Sequence, residues 1–275
     1  MLEGGRRVHS LTTNFDRNKP IITIITVVRN CEETIEETIL SVINQNYQNI
    51  EYIIIDGMST DNTLNIIKKY EKRLSHCVSE SDKGIYDAMN KGIQLATGDW
   101  VNFMNAGDYF FNNSIISLVV SEIINQNFDI IYGDFIALDN STNTKLLVVA
   151  RSIDSIVKGS VFSHQSCFIK SDVLKINNFD LKYKIAADYN QILLLYLSGK
   201  IFHHIELPLA IMTIDGLSYS NIETYKEQAK IIHKYKPYSK YTLNFIFLIS
   251  LYYFRLIIGP KGTGYIRKIK WKYIK

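Results

Sequence analysis

Carboxylates at the ends of apolar runs are the residues of this 275-residue sequence whose types and spacing could do chemistry. Asp56 closes one run, Glu80 and Asp82 follow another, and Asp108 ends the turn Asn105-Ala106-Gly107-Asp108. Asp188 opens a helix-like stretch further on. A site built this way binds a diphosphate through a divalent metal, and accepts hydrogen bonds from ribose hydroxyls or a base imide. Glycine loops that cradle phosphate directly are missing. No GxGxxG follows the first apolar run, and GxxxxGK[ST] and HExxH are absent.

The elements that must position these groups read as alternating strands and helices. Ile21 to Val28 is a β-branched run suited to a strand buried on both faces. Ile35, Ile39, Val42 and Ile43 follow at helix spacing, with Glu32 and Glu33 near the start. Ile50 to Ile55 is a second buried strand ending on Asp56-Gly57. Thr60 or Asp61 can cap the next helix, whose stripe is Leu64, Ile67 and Leu74. Cys77 to Ser79, a helix from Ile85 to Ala96, and Trp100 to Met104 complete the alternation. The pattern predicts right-handed βαβ units and a mostly parallel sheet, with ligands beyond the carboxyl ends of the strands. Arg29-Asn30, Asp56, Glu80 to Asp82 and Asn105 to Asp108 all fall there. Beyond Asp108 the sequence predicts a helix at 114–125, a strand at 130–132 and a hairpin over 135–150. Further on it predicts helices over 186–197 and 222–235, with a strand near 201–205 between them.

The motif series resembles one known family. Thr26-Val27-Val28-Arg29-Asn30, Asp56 to Thr63, Glu80 to Gly92, Ala96 to Asp99 and Phe103 to Asp108 resemble family-2 glycosyltransferases of the GT-A fold. His164-Gln165 and Ala186-Ala187-Asp188-Tyr189 continue the resemblance, within the branch that builds bacterial surface polysaccharides. It covers roughly residues 20 to 215, and the order and spacing of the motifs carry it. The resemblance implies an inverting enzyme using a UDP-sugar and Mn²⁺ or Mg²⁺. It implies that Asp56 and Asp82 contact the nucleotide, with Thr26, Val28, Asn30, Asn105, Ala106 and Gly107 around it and Lys83 and Lys91 near the phosphates. Asp108 would be the metal ligand and Asp188 the general base, its pKa raised by partial burial. Asp134, His164 and Gln165 would line the acceptor or sugar side. The family's metal motif commonly carries two or more carboxylates, whereas this turn offers one. Asn105 can ligate through its amide oxygen but adds no charge.

Plainer readings stand beside these. Asp56 and Asp108 could simply organise turns, Asp188 could serve the helix dipole, and Asp134 could end a strand. His203-His204 lies in a strand pattern with one ring facing inward.

Three widely spaced cysteines, Cys31, Cys77 and Cys167, make no CxxC pair and fit a reducing compartment. Of 31 Lys and Arg residues, eleven lie from Gln228 onward, where there is no Asp or Glu; the preceding part holds the other 20 and all 27 acids, a balance of −7. The apolar run Thr242 to Ile258 and the basic, aromatic tail after it suit an anionic membrane surface at the inner face of the cell membrane. No nucleic-acid readout motif is present. These readings divide the chain into a flexible leader (1–19), a GT-A domain (20–215; nucleotide half 20–110, acceptor half 111–215) and a helical, basic extension (216–275). A lipid-linked or growing glycan is the expected acceptor. One rival is a sugar-phosphate nucleotidylyltransferase, which would need a Gly-rich basic loop where Val28-Arg29-Asn30-Cys31 stands. Another is an inactive scaffold that holds a partner enzyme at the membrane.

Overall fold

A computed structural model describes residues 2–10, 15–140, 142, 144–213, 222–236 and 249–250. Its strands are β1 (Leu2–Gly4), β2 (Ile22–Val28), β3 (Ile50–Asp56), β4 (His76–Ser79), β5 (Trp100–Phe103), β6 (Tyr109–Phe110), β7 (Ile130–Asp139), β8 (Thr144–Val148), β9 (Cys167–Lys170) and β10 (Phe202–Thr213). The α-helices are α1 (Ile35–Ile43), α2 (Thr63–Lys69), α3 (Ile85–Leu95), α4 (Ile115–Asn125), α5 (Ser171–Ile176), α6 (Ala187–Leu197) and α7 (Ile222–Tyr235). The strands form one sheet in the order β1-β4-β3-β2-β5-β9-β7-β10-β6, with β8 beside β7.

The parallel pattern holds over β4, β3, β2 and β5. At β9 the sheet turns antiparallel, pairing with β5 on one side and β7 on the other, and parallel pairing returns between β7 and β10. All seven residues of β2 are buried, which is why its run is apolar at every position. Successive residues feed opposite faces: Ile25, Val27, Ile53 and Ile55 pack with α3, α6 and α7, while Ile24, Val28, Tyr52 and Ile54 pack with α1, α2 and α4. This sandwich fixes the strand ends as a rigid rim.

Contacts reach beyond both ends of the 20–215 stretch. The leader is not loose over its described part: β1 pairs with the β4 edge, and Arg7 forms an ion pair with the buried Glu51. A buried carboxylate needs a cation and donors, and Thr23, Thr97 and Gly98 supply the donors. Nor is the start of the extension an appendage. Ile231 and Ile232 of α7 are fully buried in the cluster that holds Leu193 and Leu195 of α6. No described helix is long and apolar enough to cross a membrane. Apart from residues 249–250, the run 242–258 and the basic tail lie outside the described residues.

Candidate active site

The strand ends expected to meet the nucleotide are tied to one another. Asn30, at positive φ (51°), receives the Thr60 amide on Oδ1 at 2.8 Å and donates its own amide to Ser59 Oγ at 2.8 Å. Asp56 is 1% exposed, and its carboxylate is already engaged by Ser59 N (3.0 Å), Ser59 Oγ (2.5 Å) and Ser79 Oγ (2.6 Å). It organises the loop as well as facing the rim. Asp82 accepts the Gly84 amide at 2.9 Å and lies so close to Gly57 that a Cβ there would fall 2.3 Å from Oδ2. A side chain at Gly57 would push the Asp82 carboxylate aside.

Thr26 and Val28 sit behind the rim. Thr26 Oγ1 donates to Met104 O at 2.8 Å inside the sheet, and Val28 O accepts the Gly57 amide at 2.9 Å. Lys91 is committed to Glu80 at 2.8 Å and to the Ser81 carbonyl at 2.7 Å, and Lys83 is exposed.

The 105–108 turn is held from α1, a contact that no sequence motif announces. Thr38 Oγ1 accepts the Gly107 amide at 3.0 Å and donates to Asp108 O at 2.8 Å. Gly107 takes φ 93°, which the turn requires and which side chains resist. Ala106 donates its amide to Val27 O, joining the turn to β2. Asp108 is buried, and burial pushes its carboxyl up to about 6, although Gln165 Nε2 (2.6 Å), the nearby His164 and the Thr213 amide (3.3 Å) favour the charged form. Ser163 fixes the Gln165 amide by donating to its Oε1.

Asn105 joins the two halves of the site. Its Nδ2 lies 3.2 Å from His164 Nε2, and its buried Oδ1 has no partner. The other ring nitrogen of His164, Nδ1, faces Asp188 Oδ2 at 3.4 Å. Asp188 sits in the first turn of α6 with 29% of its side chain exposed. Its pKa is lowered, contrary to the expectation of a raised one. Burial alone would push it up, but hydrogen bonds from His164 and the Tyr189 amide, with Tyr86 Oη at 3.1 Å, outweigh burial. His164 and Asp188 line a small surface cleft together with Ser160, Phe162 and Tyr189.

Asp134 stands apart from this group: it accepts the Ala150 amide at 2.9 Å and faces His204 Nε2 at 3.1 Å. His203 pairs with Glu122 and stacks on Phe128. Among the described residues no three His, Cys, Asp or Glu side chains converge to hold a metal ion by themselves. The orphaned Asn105 oxygen and the Asp108 carboxylate fit a cation whose remaining ligands are diphosphate oxygens and water.

Comparisons with known proteins identify the family and the fold. Residues 23–182 match Glycosyl transferase family 2. The chain is 30% identical over 176 residues to a PGL/p-HBAD biosynthesis glycosyltransferase of Mycobacterium bovis, covering 62% of this chain and 68% of the relative. It is 29% identical over 168 residues to an uncharacterized glycosyltransferase of Haemophilus influenzae, covering 59% and 67%. The fold is similar to the crystal structure of S. aureus TarS 1-349 in complex with UDP, with TM-score 0.61 and 20% identity, over 77% of this chain and 64% of that one. It is also similar to the mannosyltransferase PcManGT from Pyrobaculum calidifontis in complex with GDP-Man and Mn²⁺, with TM-score 0.61 and 16% identity, over 83% and 69%.

Proposed function

The chain belongs to glycosyl transferase family 2, and from that premise we propose that it is an inverting glycosyltransferase. It moves a sugar from a nucleotide sugar, with UDP as the nucleotide, to an acceptor hydroxyl in bacterial surface-polysaccharide assembly. One observation carries the reading: Asn105, His164 and Asp188 form a continuous chain from the donor turn to the open cleft.

Asp188 is the general base. Its lowered pKa keeps it ionised throughout the neutral range, so it is ready to take the proton of an acceptor hydroxyl. The acceptor oxygen attacks the anomeric carbon as the bond to the nucleoside diphosphate breaks. With Asp188 as the one base and no enzyme nucleophile, the displacement is single and inverts the anomeric carbon. His164 orients Asp188 and spreads the charge that the proton brings. Asp108 and Asn105 Oδ1 would hold a divalent cation, which when bound offsets charge on the leaving diphosphate. Asp56 and Asp82 accept from ribose or base on the other side of the rim. Membrane attachment through the basic tail would bring the enzyme to a lipid-linked acceptor at the inner face.

A binding screen over a panel of nucleotide sugars, with and without Mn²⁺, tests the reading. A UDP-sugar that binds only with Mn²⁺ is the expected result, and no binding of any nucleotide sugar would sink it. A GDP-sugar instead would change the nucleotide alone. For the tail, deletion after Tyr241 should abolish sedimentation with anionic vesicles; unchanged sedimentation would remove the membrane role.

A further inference from the structure

We propose that Glu227 of α7 is a positioning residue for Asp188: it holds the backbone that enters α6 and so sets where the Asp188 carboxylate points in the cleft. The inference deepens the glycosyl-transfer reading and rests on it for the role of Asp188.

The geometry is a three-point clamp. Glu227 Oε1 accepts the Lys184 amide at 2.9 Å, and Oε2 accepts the Ile185 and Ala186 amides, each at 2.9 Å. These amides precede the first turn of α6. The helix has Ala186 at its N-cap, and alanine has no side chain with which to cap it. Glu227 does not replace that cap; from another helix it ties down the N-cap amide of Ala186 and the two amides before it, and so fixes how the chain enters α6. Charge-assisted bonds of this kind are among the stronger ones available to a backbone. Asp188 follows two residues later, on the turn the clamp fixes.

The clamp is itself rigid. Ile231 and Ile232 bury α7 in the core, and Tyr235 Oη lies 3.2 Å from Asn190 Oδ1 on α6. The neighbouring Gln228 donates to Ser160 Oγ at 3.0 Å, and Ser160 lines the same cleft as Asp188. The same α6 entry segment meets Tyr86, whose hydroxyl donates to Ile185 O at 2.8 Å beside Asp188 Oδ1. Thus the groups facing Asp188 are His164, Tyr86 and the Tyr189 amide. Glu227 stands behind the backbone that places Asp188 among them. The match to the family ends at residue 182, before both carboxylates.

Glu227→Gln tests the proposal. It keeps the size but turns one acceptor oxygen into a donor facing an amide N–H, so the entry segment backs away. Carboxyl-carbon NMR should then show Asp188 titrating at higher pH than in the wild type, because its donors separate from it. With the nucleotide sugar chosen by the binding screen, kcat for nucleoside diphosphate release should fall roughly tenfold or more while KM for the donor holds. In an Asp188→Asn background the same change should cost nothing further. An unaltered Asp188 titration, or an equal loss in that background, would overturn the proposal. Should Glu227→Gln fail to fold, Glu227→Asp withdraws the carboxylate by one methylene and is read the same way. If the wild type releases no nucleoside diphosphate from any sugar, the glycosyl-transfer reading falls, and the titration alone decides Glu227.

Discussion

The two halves of the site treat their carboxylates in opposite ways. On the donor side, Asp108 is buried with too few donors, and its carboxyl rises to about 6. On the acceptor side, Asp188 meets His164, a backbone amide and a tyrosine hydroxyl, and its carboxyl is held below the ordinary range. Burial is present in both; the supply of hydrogen-bond donors decides the sign. The difference suits the proposed division of labour. An under-solvated carboxylate gains most from an incoming cation, whereas a base must already be ionised when the acceptor arrives. Asp188 contributes stability that is complete above the ordinary carboxylate range and is lost as pH falls through its lowered native pKa.

The largest effect expected is at the acceptor side. Asp188→Asn should reduce kcat roughly 10²–10⁴-fold, the usual span for removing a general base, while nucleotide-sugar affinity in a calorimeter stays put. Equal losses in both would mean that the halves are not separable. On the donor side, Asp108→Ala should weaken Mn²⁺-dependent donor binding roughly 10–100-fold, and metal-free binding should be unchanged.

Proton competition sharpens the contrast further. Asp108 must be ionised to ligate, so Mn²⁺ affinity should be flat above about pH 6 and fall about tenfold per unit below it. An ordinary carboxylate would hold out to about pH 4. Calorimetric Mn²⁺ titrations with donor present, at a series of pH values, read this directly. A profile still flat at pH 5 would show that Asp108 is not the ligand. No acid limb from Asp188 should appear in that range.

The donor half was legible because its parts are contiguous. Asp56, Asp82 and Asp108 each follow a strand of a simple βα alternation, so apolar periodicity alone placed them on one rim. The contacts that set each carboxylate, on both sides, are assembled across the chain. Gln165 reaches Asp108 from 57 residues away, Thr213 from 105, and Glu227 reaches Ala186 from 41. No local pattern encodes such meetings, so the sequence does not single out Thr38 or Glu227 and suggests an upward shift for Asp188. Burial can be guessed from sequence; the donors that reverse its effect come from elsewhere in the chain. Arg7 is a case of the same kind: its partner, the buried Glu51, stands 44 residues on.

Asn105 is the residue through which the two halves touch, and it should give the smallest and most discriminating effect. Its Nδ2 faces His164 in the acceptor half, and its buried Oδ1 is unpartnered in the donor half. Asn105→Ala removes both ends at once. Loss of one neutral hydrogen bond, about 1 kcal/mol, corresponds to roughly a fivefold fall in kcat through a less ordered His164. If Oδ1 also ligates, Mn²⁺ affinity should fall with it. Asn105→Asp separates the two. It keeps an oxygen for the cation and adds charge, so Mn²⁺ should bind more tightly. It also takes the donor away from His164 Nε2, which favours a proton on both ring nitrogens, and kcat should still drop. Tighter metal with slower turnover would show one amide serving both halves. Loss of turnover with unchanged metal affinity in both variants would confine Asn105 to the acceptor side and leave Asp108 as the single protein ligand.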